Sequence, residues 1–314
     1  MKIILLLLLL FSCNSSTELD WVFSLPKPWT LSNDEVTKLL PEFQKRFPEF
    51  NDRLKAINIW RVGTPYGIFK LGEEIEPDPD PILRIDTSDC TVHVLTSLAF
   101  TTSNSWSETR KKMIDIHYKP DFSGKKIPTY ESRWHYTSDR IINNPYTVDI
   151  TKSIARKDNL DSVIIVLNKK KDGSEFLNLN WTSKNKIYFI PTKNVNEFLL
   201  SKLPDICGAA FVRKSYFKNG IVIAHEGVLI DNKELIHASS KQKKTVRVNF
   251  INYIKGFSMN EKLNKYFKVV CFGGGKFSKQ DFSQKNIFKL SFSLEQFATL
   301  ALEGSGRGFS HINL

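Results

Sequence analysis

A single cysteine stands where a helix is expected to begin. The stretch DTSDCTVHVLTSLAF places Cys90 behind Ser88 and Asp89 and in front of an apolar run. Helix starts carry unpaired N–H groups and the positive end of the helix dipole, which favour a thiolate over a thiol. The position suits a nucleophile, although it is also an ordinary place for a small residue.

Two histidines follow in a predicted β-hairpin. The apolar runs on either side of Asn232 indicate two strands, with His225 in the first and His237 in the second. With an odd loop centred on Asn232, His237 lies opposite Gly227, on the face that carries His225. Gly227 then leaves room for the second ring. An even loop would put the histidines on opposite faces, so a histidine pair requires an odd loop.

These residue types together match one kind of chemistry. Acyl transfer through a covalent cysteine intermediate needs a thiolate, an imidazole base and a group that orients the base. Cys90, His225 and His237 can supply all three, and the reaction needs no cofactor.

The remaining histidines and a metal site are the competing interpretations. His93 is one helical turn from Cys90, but its place in an apolar helix favours a packed histidine. His117 and His311 are expected at the surface. The HxH and HExxH spacings typical of zinc sites are absent and no carboxylate cluster accompanies the histidines, so no metal is expected.

The elements that must position these residues are helices first and strands afterwards. Helical spacing occurs at 36–43, 50–59, 90–100, 106–116, 140–143 and 250–254, with an N-cap at Ser32 and a break or kink expected at Pro41. Strand patterns occur at 162–167, 187–190, 208–213, 221–230, 234–238 and 245–249. The short segment 82–85 is expected to be extended. This order predicts an α+β fold with an antiparallel sheet.

The N-terminus predicts export. Ile3–Phe11 is apolar but far shorter than the ~20 residues that span a bilayer, and it suits the core of a secretory signal. Leu10-Phe11-Ser12-Cys13 is similar to the lipobox of bacterial lipoproteins, in which the cysteine is lipidated after cleavage. A plain signal peptide cleaved nearby is the alternative. In both cases the mature protein works outside the cytoplasm.

Three cysteines remain after Cys13, namely Cys90, Cys207 and Cys271. An odd number in an oxidising compartment leaves at least one thiol unpaired. If Cys207 and Cys271 form a disulfide, Cys90 is the remaining thiol.

Composition allows a large folded core and an anionic partner. The chain has 314 residues, of which 41% are hydrophobic, and a net charge of +12. For an exported protein, an anionic cell-wall polymer or lipid headgroups suit that charge better than nucleic acid. The alternative is that the lysines only form a solvated surface.

The ordered motifs carry a family resemblance. Asp89-Cys90, His225-Glu226-Gly227-Val228 and His237-Ala238-Ser239 resemble the NlpC-type papain-like cysteine peptidases of bacterial cell walls, and most closely their N-acetylmuramoyl-L-alanine amidase-like branch. The segments 63–66, 132–139, 143–144 and 150–151 are also similar to that branch. The branch usually reads Thr-Phe-Val-Glu where this chain has Val92-His93-Val94-Leu95, and often Gly-Asp where it has Gly208-Ala209.

The resemblance implies a fold and an activity. N-terminal helices, with the catalytic cysteine at a helix start, would pack on an antiparallel sheet that carries the histidines. The activity would be hydrolysis of an amide bond in the peptidoglycan peptide stem, either muramoyl–L-Ala or D-Glu–diamino acid. A catalytically inactive relative that only binds stem peptides is the alternative. Peptidoglycan, and the membrane through a lipid on Cys13, would be the partners.

The resemblance also implies residue roles. Cys90 would attack the carbonyl, His225 would relay the proton and His237 would hold His225. The backbone N–H groups of Asp89 and Cys90 would stabilise the oxyanion. The groove would be lined by Tyr66, Arg133, His135, Tyr136 and Asp139. Arg133 would grip a stem carboxylate, or else form a structural ion pair with Asp139.

The predicted domain organisation has four parts: a lipoprotein-type signal at 1–13, a tether and helical region at 14–60, the NlpC-like domain at 61–265, and a C-terminal extension at 266–314.

Overall fold

The computed structural model describes residues 18–258 and 266–272, which belong to one compact unit of the chain. The predicted signal with Cys13, and His311, lie outside these residues. No helix within the described ranges is long and apolar enough to cross a membrane.

Helices form the first half of the described chain. They are α1 (residues 18–24), α2 (Asn33–Arg46), α3 (Phe50–Trp60), α4 (Cys90–Thr101), α5 (Trp106–His117) and α6 (Thr137–Asn143). The predicted N-cap is confirmed, because Ser32 and Glu35 form a capping box. Helix α2 does not end at Pro41, where a break or kink is predicted, because Val36, Leu40 and Phe43 bury both of its halves.

Strands and short helices form the second half. The strands are β1 (Thr147–Asp149), β2 (Asp161–Leu167), β3 (Ser183–Pro191), β4 (Ile206–Val212), β5 (Ile223–Ile230), β6 (Glu234–Ser239), β7 (Lys244–Asn249) and β8 (Tyr266–Phe272). The helices are α7 (Thr151–Ile154), α8 (Glu197–Leu200) and α9 (Phe250–Ser258). Residues 82–85, predicted to be extended, form bends and belong to none of these strands.

All described strand pairs are antiparallel, in the order β2-β3-β8-β4-β5-β6-β7, with β1 also paired to β8. The mixed α+β architecture with an antiparallel sheet is therefore confirmed. Strand β8 comes from the region predicted as an extension, and it lies between β3 and β4.

Helices cover both faces of the sheet. On one face, α2–α5 pack against Val228, Ile230 and Ile236. On the other face, α7–α9 pack against Leu229 and Leu235. Because successive side chains on a strand point to opposite faces, β5 presents alternate residues to α4 and to α9.

Candidate active site

Cys90 is the first residue of α4, and its neighbour Asp89 is the N-cap. The Asp89 Oδ1 atom accepts a hydrogen bond of 2.9 Å from the Val92 N–H, which satisfies one of the unpaired donors at the helix start. Its Oδ2 atom accepts a second bond of 2.9 Å from the Phe69 N–H. The residue before the cysteine therefore fixes both the start of the helix and a neighbouring loop.

The two histidines form a hydrogen-bonded pair. Strands β5 and β6 pair from Val228–Ile236 to Ile230–Glu234, which leaves a loop of 231–233 centred on Asn232. The predicted odd loop is confirmed, and the two histidines share a face. His225 Nε2 and His237 Nδ1 are 2.9 Å apart, with the ring planes at 82°.

Gly227 makes this arrangement possible. A Cβ atom at residue 227 would lie 2.8 Å from the Ile236 carbonyl oxygen and 2.9 Å from the His237 Cβ. Such contacts are too short for any side chain. The absence of a side chain at Gly227 thus lets β6 bring His237 close to His225.

The thiol and the histidine pair share two neighbours. The main-chain N–H of Glu226, the residue after His225, interacts with the Cys90 sulfur and acts to lower the thiol pKa. Tyr253 of α9 packs against His237, with 4.7 Å between ring centroids and the ring planes tilted by 55°. Burial and a charge on Cys90 both raise the pKa of its phenol. The cysteine and the histidines therefore occupy one site, which includes the end of the β5–β6 pairing.

A buried ion pair lies beneath this site. One terminal nitrogen of Arg140 is 2.6 Å from each carboxylate oxygen of Glu226. Both side chains are nearly inaccessible, at 2% and 5%. The Glu226 carboxylate also accepts a bond of 3.0 Å from the Thr91 hydroxyl, next to Cys90. The pair thus connects α6, β5 and the start of α4.

Partial burial of Cys90 and two neighbouring carboxylates act against the thiolate that its helix position favours. Burial raises the pKa of the Cys90 thiol to about 12, with further contributions from the carboxylates of Asp89 and Glu226. Burial lowers the pKa of His225 to about 3 and that of His237 to about 4. All three shifts favour the neutral forms of the thiol and of the imidazoles.

Two N–H groups at the helix start have unused donor capacity. Within the described residues, no hydrogen bond uses the main-chain N–H of Asp89 or Cys90. These are the groups predicted to stabilise an oxyanion, and a donor without a protein partner is able to bind one.

The predicted groove residues fall into two groups. Tyr66 lies near the cysteine, because its backbone forms a β-bridge with Ser88, two residues before Cys90. Burial, and then charges on Cys90 and Asp89, raise the pKa of its phenol. The others lie in or just before α6 and bond within the fold. Tyr136 donates to Asn168 at 2.6 Å, and His135 Nε2 is 2.6 Å from the Tyr130 carbonyl oxygen.

Arg133 and Asp139 do not pair with each other. Arg133 lies 3.0 Å from Glu73 and 2.9 Å from Asp78, and it donates to the Leu71 carbonyl oxygen at 2.6 Å. Asp139 lies 3.0 Å from Lys119. The expected Arg133–Asp139 ion pair is therefore wrong, because each residue has a nearer partner on another segment.

A shallow depression lies beside these residues, lined by Lys119, Glu131, Arg133, His135, Tyr136, Leu179 and Trp181. Lys119 lies over the Trp181 ring, 3.9 Å from its centroid. Three predicted groove residues, Arg133, His135 and Tyr136, therefore line one depression. Each of them already has a hydrogen-bond partner within the fold.

The other described histidines are buried. His93 is fully inaccessible, as its apolar helix predicts, but neither ring nitrogen has a hydrogen-bond partner. His117 is 4% exposed, so its predicted surface position is wrong; α5 turns it toward the core. Among the described residues, no group of three His, Cys, Asp or Glu could hold a metal ion. The possible pairing of Cys207 and Cys271 involves a side chain outside the described part.

Sequence reasoning missed Glu226, Arg140 and Tyr253. Glu226 lies within the histidine motif. A carboxylate between a histidine and a glycine on a buried strand indicates a buried cationic partner, and this signal was available in the sequence. Arg140 and Tyr253 lie far from the motifs in sequence, and only the packing of α6 and α9 brings them to the site.

Comparisons with known proteins agree with this architecture. A protein from Legionella pneumophila strain Philadelphia 1 has a TM-score of 0.62 at 21% identity, over 76% of this chain and 94% of its own. Two crystal structures of an N-acetylmuramoyl-L-alanine amidase from Bacteroides uniformis have TM-scores of 0.51 and 0.52 at 21% and 24% identity. They cover 70% of this chain and 98% and 97% of their own.

At these identities the likeness establishes the fold alone. No curated protein matches the chain. The family model described as AmiA-like, N-acetylmuramoyl-L-alanine amidase-like, matches residues 57–258, which include the cysteine, both histidines and the groove residues. The chain therefore belongs to the N-acetylmuramoyl-L-alanine amidase-like family.

Proposed function

We propose that this protein hydrolyses an amide bond in the peptide stem of peptidoglycan by covalent cysteine catalysis, as an NlpC-like member of the papain-like superfamily. The observation that carries the proposal is the bond of 2.9 Å between His225 Nε2 and His237 Nδ1, beside a cysteine at a helix start. This bond occupies Nε2 of His225 and leaves Nδ1 for the thiol.

The reaction proceeds in two halves. His225 Nδ1 takes the thiol proton as the Cys90 sulfur attacks the stem carbonyl, and the N–H groups of Asp89 and Cys90 bind the oxyanion. The C–N bond breaks, the amine leaves with the proton from His225, and a thioester remains on Cys90. Water then gives a proton to His225 and attacks the thioester, which releases the acid and restores the thiol. His237 holds His225 in one orientation throughout.

The pKa values favour proton transfer during the attack over a preformed ion pair. Desolvation raises the pKa of the Cys90 thiol and lowers the pKa of both imidazoles, and each direction favours a neutral group before the substrate binds. His225 therefore acts as a general base at the moment of bond formation.

The test is a digest of purified muropeptides with the full chain in detergent, read by mass spectrometry. Wild-type protein should release a product whose mass identifies the bond, and Cys90→Ala should release none. Cys207→Ala is the matched control, because Cys207 is buried in β4 away from the helix start. Equal product from wild type and Cys90→Ala would exclude cysteine catalysis.

A stem-peptide binding protein without activity is the second candidate, favoured by the raised pKa of Cys90. Iodoacetamide labelling near neutral pH separates the two. An enzyme should be modified at Cys90 faster than at its other cysteines, because His225 can take the thiol proton as the sulfur attacks the reagent. Binding of muropeptides by both wild type and Cys90→Ala, without product and without preferential labelling, supports the binding protein.

We also propose that the protein is an exported lipoprotein of the bacterial cell envelope, anchored through Cys13. Its sequence start supports this, and Cys13 lies outside the described residues. Metabolic labelling with a fatty acid should mark the wild type but not Cys13→Ser. Equal labelling of both would exclude lipidation at Cys13.

A further inference from the structure

Glu226 of β5 contacts both of the first two residues of α4. Its main-chain N–H interacts with the Cys90 sulfur, and its Oε1 atom accepts a hydrogen bond of 3.0 Å from the Thr91 hydroxyl. His225, the proposed base, is the residue directly before Glu226. Two successive residues of one strand therefore lie beside two successive residues of one helix, and each pair includes one of the groups proposed to react.

A third element, helix α6, fixes the Glu226 carboxylate. Thr137, the first residue of α6, donates a hydrogen bond of 3.3 Å to Oε1, and one terminal nitrogen of Arg140 is 2.6 Å from each carboxylate oxygen. Glu226 and Arg140 are both buried, so salt and solvent screen their attraction very little. The carboxylate that binds Thr91 therefore has one position, which is set by α6.

Neither the helix start nor the neighbouring strand requires this carboxylate. Asp89 already caps α4, and on β4 the residue opposite Glu226 is Ala210, which has no polar side chain. A buried ion pair often contributes no more stability than apolar side chains of similar volume. Capping and stability therefore do not account for the bond from Thr91 to Glu226, and its place beside Cys90 indicates a role in the reaction.

The side chains of Glu226 and His225 lie on opposite faces of the sheet. Glu226 is two residues from Val228, which packs against α2–α5, so the carboxylate lies on that helical side. The His225 ring lies on the other face, stacked on Phe211 with 5.6 Å between ring centroids. Because a single planar peptide unit joins the two residues, a carboxylate fixed to α4 also fixes the position of the imidazole relative to that helix.

We propose that Glu226 is a positioning residue for the reaction: it holds the start of α4 against β5 and thereby keeps the Cys90 sulfur within reach of His225. Arg140 acts through Glu226, because it bonds to the carboxylate. This inference rests on the proposed function and deepens it. A reacting group misplaced by about 1 Å can cost about 10²-fold in rate, so loss of one contact in this set should lower kcat about tenfold. KM should stay unchanged, because Glu226 and Arg140 are buried where a substrate cannot contact them.

The first test removes only the bond from Thr91. Thr91→Val has nearly the same shape without the hydroxyl and should lower kcat for a muropeptide about tenfold at unchanged KM, whereas Thr91→Ser keeps the hydroxyl and should restore kcat. Thr96→Val is the matched control, because Thr96 lies in the same helix and its buried hydroxyl has no hydrogen-bond partner among the described residues. Wild-type kcat in Thr91→Val, or the same loss in Thr96→Val, would overturn the proposal.

A double-mutant cycle shows whether Thr91 acts through Glu226 or directly on the sulfur. The paired change Arg140→Met with Glu226→Met replaces the ion pair by apolar side chains, which avoids an uncompensated buried charge. This pair should lower kcat about tenfold, and adding Thr91→Val should lower it no further, since both changes remove one interaction. A further loss of about tenfold in the combined variant would assign the hydroxyl to the sulfur and overturn the role of Glu226. If the paired variant does not fold, the Thr91 variants still decide, because they leave the ion pair in place.

Alkylation of Cys90 by iodoacetamide at neutral pH gives the same comparison without a substrate. His225 takes the thiol proton in this reaction too, so the rate should fall about tenfold in Thr91→Val and in the paired variant, but not in Thr96→Val. Equal alkylation rates in all of these proteins would overturn the positioning role. Hydrolysis of no muropeptide by the wild type would refute the proposed function, while the alkylation rates would still decide the role of Glu226.

Discussion

The cysteine–histidine centre and the Arg133 region were both predicted from residues able to do chemistry. They differ in whether their polar groups already have partners within the fold. At the centre, His225 and His237 bond to each other, and the N–H groups of Asp89 and Cys90 have no partner among the described residues. At Arg133, the guanidinium is occupied by Glu73, Asp78 and the Leu71 carbonyl oxygen. Unused hydrogen-bonding capacity, more than residue type, distinguishes the proposed reactive site from the ion pairs of Arg133.

The strongest test of this difference removes one histidine from each region and compares the effects on activity. His225→Ala should lower kcat/KM for a muropeptide about 10³-fold, since it removes the general base. His135→Ala, the matched control, should change kcat/KM less than about threefold, because the His135 ring bonds only to a main-chain carbonyl. Equal losses would mean that both regions take part in the chemistry.

The ion pairs of Arg133 should contribute to the free energy of unfolding. Arg133→Met leaves the buried Glu73 without a cation and should lower the free energy of unfolding by about 3–5 kcal/mol. Kinetics at low temperature should show a KM close to that of the wild type. Arg84→Met is the control, because Arg84 pairs with the exposed Asp86 and should cost no more than about 1 kcal/mol. A raised KM without loss of stability would restore Arg133 as a carboxylate-binding residue.

A second test displaces His237 relative to His225 and leaves both rings present. Gly227→Ala forces a methyl group against the Ile236 carbonyl oxygen and His237, so it should lower kcat by about tenfold or more through misplacement of the base. Gly256→Ala in α9, where an added Cβ meets open space, should leave kcat unchanged. Full activity in Gly227→Ala would show that the two rings need not be in contact.

The smallest effect expected near neutral pH concerns His93, which lies close to the centre but has no hydrogen-bond partner for either ring nitrogen. Burial lowers the pKa of His93 well below 6.5, so below that pH the unfolded chain binds a proton that the folded chain does not. His93 therefore reduces stability as pH falls, and His93→Phe should remove that loss. We expect the variant to gain about 1 kcal/mol at pH 7.5 and about 2 kcal/mol more at pH 5.

Chemical denaturation at both pH values provides this measurement, with muropeptide kinetics as the check. A drop in kcat/KM comparable to that of His225→Ala would place His93 in the catalytic centre. Unchanged kinetics with a flatter pH dependence of stability would keep it in the core.

Local patterns predicted the parts of the fold that depend on near neighbours. The Ser32–Glu35 capping box and the start of α4 at Cys90 follow from residues within one helical turn. The parity of the loop at Asn232 decided whether two histidines share a face, and that depends only on the count of residues between them.

Contacts between residues that are far apart in the sequence could not be predicted in this way. Arg133 has several acidic candidates, and its partners Glu73 and Asp78 are determined by how that loop packs against the segment after α5. The effect of packing on the Cys90 thiol was equally out of reach. The helix dipole at Cys90 is a local effect, whereas burial and the Glu226 carboxylate come from packing on β5.

The position of β8 has a consequence for synthesis of the protein. Strands β4–β7 form a meander whose neighbours are adjacent in sequence, and β2–β3 form a hairpin. Among the described strands, only β8 joins these two parts, and it is the last to leave the ribosome. Pairing across such a separation is slow compared with local pairing. A chain terminated before Tyr266 would therefore expose the edges of β3 and β4, which are templates for aggregation with other chains.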